Sequence, residues 1–358
     1  MLMSCAGQNK DHQLWYIDTD ESYPTKILDY QELGHVKYIP LETDSVVFDS
    51  SRLPDYSSSK YLGFIDNASG NVVVFDALTG ERKISFNRKG TGPEEYLMAG
   101  SLFYDENNHE IFVWNFMEGC YKVYGEGGDF RRNLPLRNYR KGEFMYATAT
   151  ENFNDSLMLC SNSHHSGYSI HYLMNKRNGG SILIDSIPAD MVVKTAITSG
   201  TLSASVKVKS LDKGFNRFVY SEPSLDTLYA FSEYDKMVPI LCQTPSAGST
   251  DPARILRFDG ETSRWLFVSV VEISFDFETQ DGFAERQLGI DKESGTVYEI
   301  QFRNRDWKDY VQTSYHKCIL LENEDLKDAL DEGLLSGELK KAAEKIDMEG
   351  NGILVKIE

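Results

Sequence analysis

Residues 61–76 read YLGFIDNASGNVVVFD, and residues 100–115, 39 positions further on, read GSLFYDENNHEIFVWN. Superposing them sets Asp66 on Asp105, Val72 on Ile111, Val73 on Phe112, Val74 on Val113, Phe75 on Trp114 and Asp76 on Asn115, with Ile84 on Val123 beyond. Each copy is an apolar strand ending in Asp, a polar turn, a second apolar strand and another turn. β-Branched and aromatic runs bounded by Gly, Asn and Asp are strand and turn signals. A period of about 40–50 residues holding several strands predicts propeller blades. The chain from residue 60 onward has room for six of them. The fold expected is therefore all-β, a six-bladed β-propeller.

Working outward, the pattern changes near the C-terminus. Leu326, Ala329, Leu330, Leu335, Leu339, Ala342, Ala343 and Ile346 recur at three- and four-residue spacing, which predicts a short helical segment near 323–348 with one apolar face. Residues 353–357, ILVKI, read as a closing strand. Open sheet edges invite pairing, so a strand near 35–41 is expected to complete the last blade beside 353–357. Residues 21–358 are read as one propeller domain, and 1–20 as a lipoprotein signal remnant and polar tether.

Composition narrows the function. With 37 basic and 55 acidic residues the net charge is −18, a field that repels phosphate backbones, so a nucleic-acid partner is not expected. Hydrophobic residues make up 41% and aromatics 12%, enough for a packed core. No apolar run reaches the ~18 residues of a spanning helix. Nucleophile-elbow, P-loop and dinucleotide motifs are absent. His164, His165 and His171 have no established ligand spacing and read as a solvated loop. The acidic turn at Asp105 lacks the calcium-loop register and reads as turn chemistry. Cys120, Cys160, Cys242 and Cys318 show no metal spacing; their disulfide status is left open. Trp265, Trp307 and Tyr310 are expected to pack between blades rather than to stack on a ligand. No catalytic residue and no metal ligand is assigned.

Two short motifs carry resemblances. Leu2-Met3-Ser4-Cys5 resembles a bacterial lipobox without its full apolar leader, which implies lipidation at Cys5. Gly90-Thr91-Gly92-Pro93-Glu94-Glu95-Tyr96 resembles the G-x-G-P-G-E-Y turn of the six-bladed β-propeller lipoproteins of Bacteroidetes, akin to NHL-repeat propellers, with Glu94 where that family has Gly. The strand around Val36–Thr43 and the helix before the terminal strand are similar to that group as well. Membership implies an exported protein lipid-anchored in the bacterial cell envelope, periplasmic or surface-exposed, touching membrane only through Cys5. It implies Gly90, Gly92, Pro93, Glu95 and Tyr96 as an inter-blade turn. The D-[ST]-apolar tripeptides at Asp44, Asp155, Asp185 and Asp226 resemble an O-glycosylation sequon of such proteins.

The function expected is a non-catalytic binding or scaffold module for a glycan, peptide or protein partner, with no cofactor. The alternative is a calcium-dependent lactonase- or esterase-like hydrolase with an axial metal, whose ligands would come from separate blades and escape a local motif search.

Overall fold

The computed structural model describes residues 13–43, 54–66, 68–136, 147, 149–165, 168–188, 193–206, 208–231, 237–312, 314–346 and 350–358, by the main chain alone at 163–165, 168–170 and 185–188. Six sheets of three to six strands match the six blades expected. The described chain forms two compact units, residues 27–190 with 301–358, and residues 1–26 with 191–300.

The larger unit holds three consecutive four-stranded antiparallel sheets. The first is Tyr56–Ser57, Tyr61–Ile65, Asn71–Asp76 and Arg82–Asn87; the second is Ala99–Asp105, Glu110–Asn115, Cys120–Gly125 and Phe130–Pro135. The third is Ala149–Asn152, Leu157–His165, Tyr168–Asn175 and Ser181–Pro188. A continuous aromatic and aliphatic core runs through them, including Trp114, Tyr121, Tyr124, Phe103 and Tyr172 at 2% exposure or less. The closing sheet orders Cys318–Leu321, Ile353–Ile357 and Val36–Pro40. Val36 pairs with Ile357 and Pro40 with Ile353, antiparallel, as the closure argument requires. The helices Asn323–Asp331 and Gly337–Ala343 fill the expected helical segment, burying Leu326, Ala329, Leu339, Ala342 and Ala343.

The smaller unit holds a sheet ordered Trp15–Asp18, Val238–Thr244, Thr227–Phe231, Phe218–Tyr220 and Leu211–Lys213. Another begins with Arg254–Glu261, Trp265–Glu272 and Glu285–Asp291 and continues onto Val297–Arg303. Two further hairpins, Ala196–Ser199 with Leu202–Ser205 and Phe275–Asp276 with Asp281–Gly282, stand outside these sheets. Residues 15–18 correct the tether expectation for that stretch: they lie parallel to Val238–Thr244, Trp15 opposite Leu241. The reason is strand alternation, with Ile17 fully buried and Tyr16 63% exposed.

The 39-residue superposition also needs correcting in frame. It lays the second to fourth strands of the first sheet on the first to third strands of the second. The same turn chemistry recurs at more than one corner of a blade, so three strands can be registered in two ways. Asp66–Gly70, Asp76–Gly80, Asn115–Gly119, Asn175–Gly179 and Asp291–Gly295 all close with the Gly N–H donating to the first residue's carbonyl at 2.6–3.0 Å. In blade order Gly80, Gly128 and Gly179 occupy equivalent third corners, each at positive φ. Each abuts the outer strand of the preceding sheet: Pro40, Phe86 and Pro135 respectively. The blade period in this unit is thus set by these corners, nearer 50 residues than 39.

Candidate functional site: the motif loop and its apolar ledge

The glycine-rich motif lies in the larger unit, between the first two sheets. Tyr96 is fully buried. Its hydroxyl donates to the Gly70 carbonyl at 2.6 Å and accepts from the Arg88 N–H at 3.1 Å. Its own N–H donates to the Arg88 carbonyl, and the Gly90 N–H donates to the Tyr96 carbonyl, both at 3.1 Å. The Glu95 carboxylate folds back to accept the Gly92 N–H at 2.8 Å. A Cβ at Gly90 would stand 1.9 Å from that carboxylate. A side chain at Gly90 would displace the Glu95 carboxylate from the Gly92 N–H, so Gly90 serves the close approach of that carboxylate and not a left-handed φ, since neither Gly90 nor Gly92 has a positive φ. Glu94 does not either, which explains why glycine is dispensable at this position.

The second sheet pins the loop from its far side. Lys122, fully buried, donates to the Pro93 carbonyl at 2.8 Å and pairs with Glu118 at 2.7 Å. The Tyr124 hydroxyl donates to the Glu94 carbonyl at 2.8 Å. Buried polar groups are tolerable when satisfied in this way. The motif residues Gly90, Gly92, Pro93, Glu95 and Tyr96 thus lie between the strand Arg82–Asn87 of the first sheet and the strand Ala99–Asp105 of the second.

What it missed lies immediately downstream. Leu97 and Met98 leave the loop 47% and 51% exposed. The Met98 carbonyl accepts the Phe116 N–H at 3.0 Å, which brings Phe116 and Met117, 47% and 60% exposed, alongside. Of eleven large apolar side chains exposed among the described residues, four fall in these two touching segments. The signal was present: an Asn-x-x-x-Gly corner at 115–119 puts Phe116 and Met117 in a turn between strands, outside the alternation that assigns a side chain to the core.

Elsewhere, a buried carboxylate with several polar partners lies in the smaller unit. Asp259 bonds Arg257 at 2.8 Å, Ser269 at 2.6 Å and Gln287 at 3.1 Å. Ser269 also reaches Glu285 at 2.7 Å. Glu285 lines an open cleft of about 340 Å3 with Asp20, Arg254, Glu272 and Arg286. There Arg254 pairs with Asp20, and Arg286 donates to the Thr19 and Glu21 carbonyls, so both arginines hold the chain's own N-terminal segment. Burial pushes the Asp259 carboxyl up to about 6, against the opposing pull of Arg257. A raised carboxyl stabilises the fold fully below its unfolded value near 3.8, and that contribution is lost as pH rises through about 6. Asp259→Asn should remove a slope worth about 3 kcal/mol across this window. Melting curves of both proteins from pH 4 to 7 check this; parallel curves would refute it.

Other sequence candidates separate. Cys5 and the Asp44 tripeptide lie outside the described residues. His164 and His165 sit on the strand Leu157–His165, and His171 is buried on its hairpin partner, opposite Ser161 and Asp185. The stretch is a hairpin and not the solvated loop expected, and burial holds the His171 imidazole well below its ordinary value. Asp105 is buried against Lys176 at 2.8 Å. Among the described residues Cys120, Cys160, Cys242 and Cys318 are free thiols; burial raises Cys120 to about 11 and Cys160 to about 12, far from thiolate chemistry. Trp265 and Trp307 are buried, Trp307 stacked on Tyr310 at 4.6 Å. Ser156 of the Asp155 tripeptide is exposed in a turn. Among the described residues no group of three or more His, Cys, Asp and Glu is placed to hold a metal ion.

Among the described residues, six sheets of three to six strands, largely antiparallel, with Trp15–Asp18 parallel to Val238–Thr244, and carrying glycine corners that recur from sheet to sheet, are the blades of a six-bladed β-propeller. The chain belongs to the DUF5128 family, described as a 6-bladed beta-propeller, whose model matches residues 5–324. No curated protein matches the sequence. Among solved structures it is similar to a Bacteroides fragilis protein described as exported, at 16% identity, TM-score 0.59, covering 96% of this chain and 99% of that one. It is also similar to a member of the DUF4221 family from Bacteroides vulgatus, at 10% identity, TM-score 0.45, with 91% and 98% covered.

Proposed function

We propose that the protein is a non-catalytic binding module of the bacterial cell envelope, exported and lipid-anchored through Cys5, that docks a protein or peptide partner on the ledge Leu97, Met98, Phe116 and Met117. The observation that carries this reading is the division of labour in the motif loop. Gly90, Glu95 and Tyr96 are spent on internal hydrogen bonds and close packing, and the Pro93 and Glu94 carbonyls on Lys122 and Tyr124; beyond the exposed Thr91, Pro93 and Glu94 side chains, what the segment offers to solvent is the apolar pair Leu97 and Met98, beside Phe116 and Met117. Clustered exposed apolar side chains mark interaction sites more often than chance surface, and methionine adapts to varied partners. Export is supported by the likeness to the Bacteroides fragilis protein, and the anchor by the Leu2–Cys5 motif.

A photo-crosslinking amino acid at Met117, expressed in the native host, should give a discrete adduct that is lost when Leu97→Asp is added. The same group at Ile182, 62% exposed on another sheet, serves as control. Equal labelling at both positions, or an adduct indifferent to Leu97→Asp, would refute the ledge as the docking surface.

A further inference from the structure

The hairpin of the smaller unit, Ala196–Ser199 with Leu202–Ser205, is built unlike any blade. From Thr195 to Val206 the sequence is TAITSGTLSASV, twelve residues without a charge, in a chain of which 26% is charged. The two strands pair in unbroken register, Ala196 with Ser205 through Ser199 with Leu202, around Gly200 at φ +60°. Among the described residues neither strand pairs with any other. Ala196, Thr198, Ser199, Thr201, Leu202, Ser203 and Ser205 are all exposed. Only the root is anchored, where Val193, Val206 and Val208 join Ile273 and Phe283 over Ala247, Ile255 and Val271.

Such a hairpin is anomalous on two physical grounds. Two strands alone are marginal in water, and three or more are needed for independent stability. Natural proteins blunt open edges with lysine, proline or bulges, and none of these stands between Thr195 and Val206. The Val206 N–H donates to the Thr195 carbonyl, so by antiparallel alternation the main-chain groups of Ser203 and Ser205 face away from the hairpin. Leu202, 53% exposed, lies on the same strand.

We propose that the strand Leu202–Ser205 pairs antiparallel with the same strand of a second copy about a two-fold axis, making a four-stranded intermolecular sheet. The occupant follows from charge. Two chains of net charge −18 repel wherever acidic surfaces meet, and an uncharged strip is where they approach at least electrostatic cost. An antiparallel self-pairing is also isologous, so one edge supplies both halves of a closed dimer. Salt should strengthen the dimer, because it screens the long-range repulsion and leaves the main-chain hydrogen bonds intact.

Sedimentation velocity of the purified full chain over the micromolar range tests this. The wild type should double in mass as concentration rises, and do so at lower concentration when salt is added. Ser203→Pro deletes an outward N–H, which an edge strand tolerates; it should be monomeric throughout with unchanged circular dichroism. Should that variant misfold, Ser205→Lys places like charges across the two-fold axis and should be monomeric in its place. Thr198→Pro, on the opposite edge, should remain dimeric. A wild type that stays monomeric at every concentration and salt overturns the proposal. So does a dimer that Ser203→Pro and Ser205→Lys both leave intact, which would place the interface with the second copy elsewhere.

Discussion

Alanine at Gly179 is expected to cost roughly 4 kcal/mol of stability, the sum of a left-handed backbone penalty and a clash that neither partner can relieve. Gly179 has φ +69°, and a Cβ there would stand 1.9 Å from the Pro135 carbonyl oxygen. Both sides of that contact are main chain, so relief requires moving a strand. Gly80 repeats the arrangement with φ +74° and the Pro40 carbonyl at 2.0 Å, and Gly80→Ala should cost about as much. Gly333 supplies the comparison: φ is +71° but nothing lies within 4 Å. Gly333→Ala should therefore cost only about 1 kcal/mol, the φ penalty alone. Urea unfolding of the three variants checks the difference; equal losses would mean that the corners do not set the spacing between successive sheets.

The second large effect is expected at the buried ion pair joining the second and third sheets. Lys176 Nζ lies 2.8 Å from Asp105 and 2.9 Å from Asn152, and 5.4 Å above the Phe103 ring, with both charged side chains at most 3% exposed. Asn108 adds a hydrogen bond to Asp105 at 2.8 Å. Removing one partner strands the other charge without water, so Lys176→Met should lose about 3–5 kcal/mol. Replacing both, Lys176→Met with Asp105→Asn, should recover much of that loss, because the penalty is an unpaired charge and not a missing attraction. Additive losses in the double variant would count against this account.

These two sites show what was legible in the sequence. Strand alternation, turn residues and helical spacing revealed the blades and the helical segment because these depend on local periodicity; the number of blades followed from chain length against the repeat, and the closing pair at Val36–Pro40 and Ile353–Ile357 from the need to cover open edges. The frame of the repeat was not legible from a single superposition, since Asp66–Gly70 and Asp76–Gly80 spell the same corner twice within one sheet. Comparing all the D/N-x-x-x-G corners would have found it. Asp105 showed its turn but not Lys176, because that pair is brought together by sheet packing across more than seventy residues. At the motif loop, the turn was implied by the resemblance of Gly90–Tyr96 to a family motif, while the approach of the Glu95 carboxylate to Gly90 is made only by the folded loop. The ledge was readable only by asking which apolar residues fall in corners.

The most direct test of the binding account is oxidative footprinting of Met98 and Met117 in intact host cells and in purified protein. Both sulfurs are on half-exposed side chains, whereas Met158 and Met174 are fully buried and serve as internal references. If the ledge is a docking surface, Met98 and Met117 should oxidise readily in the purified protein and be protected several-fold in cells, with the references slow in both. Equal rates for Met98 and Met117 in the two settings would contradict the assignment of this ledge to a partner.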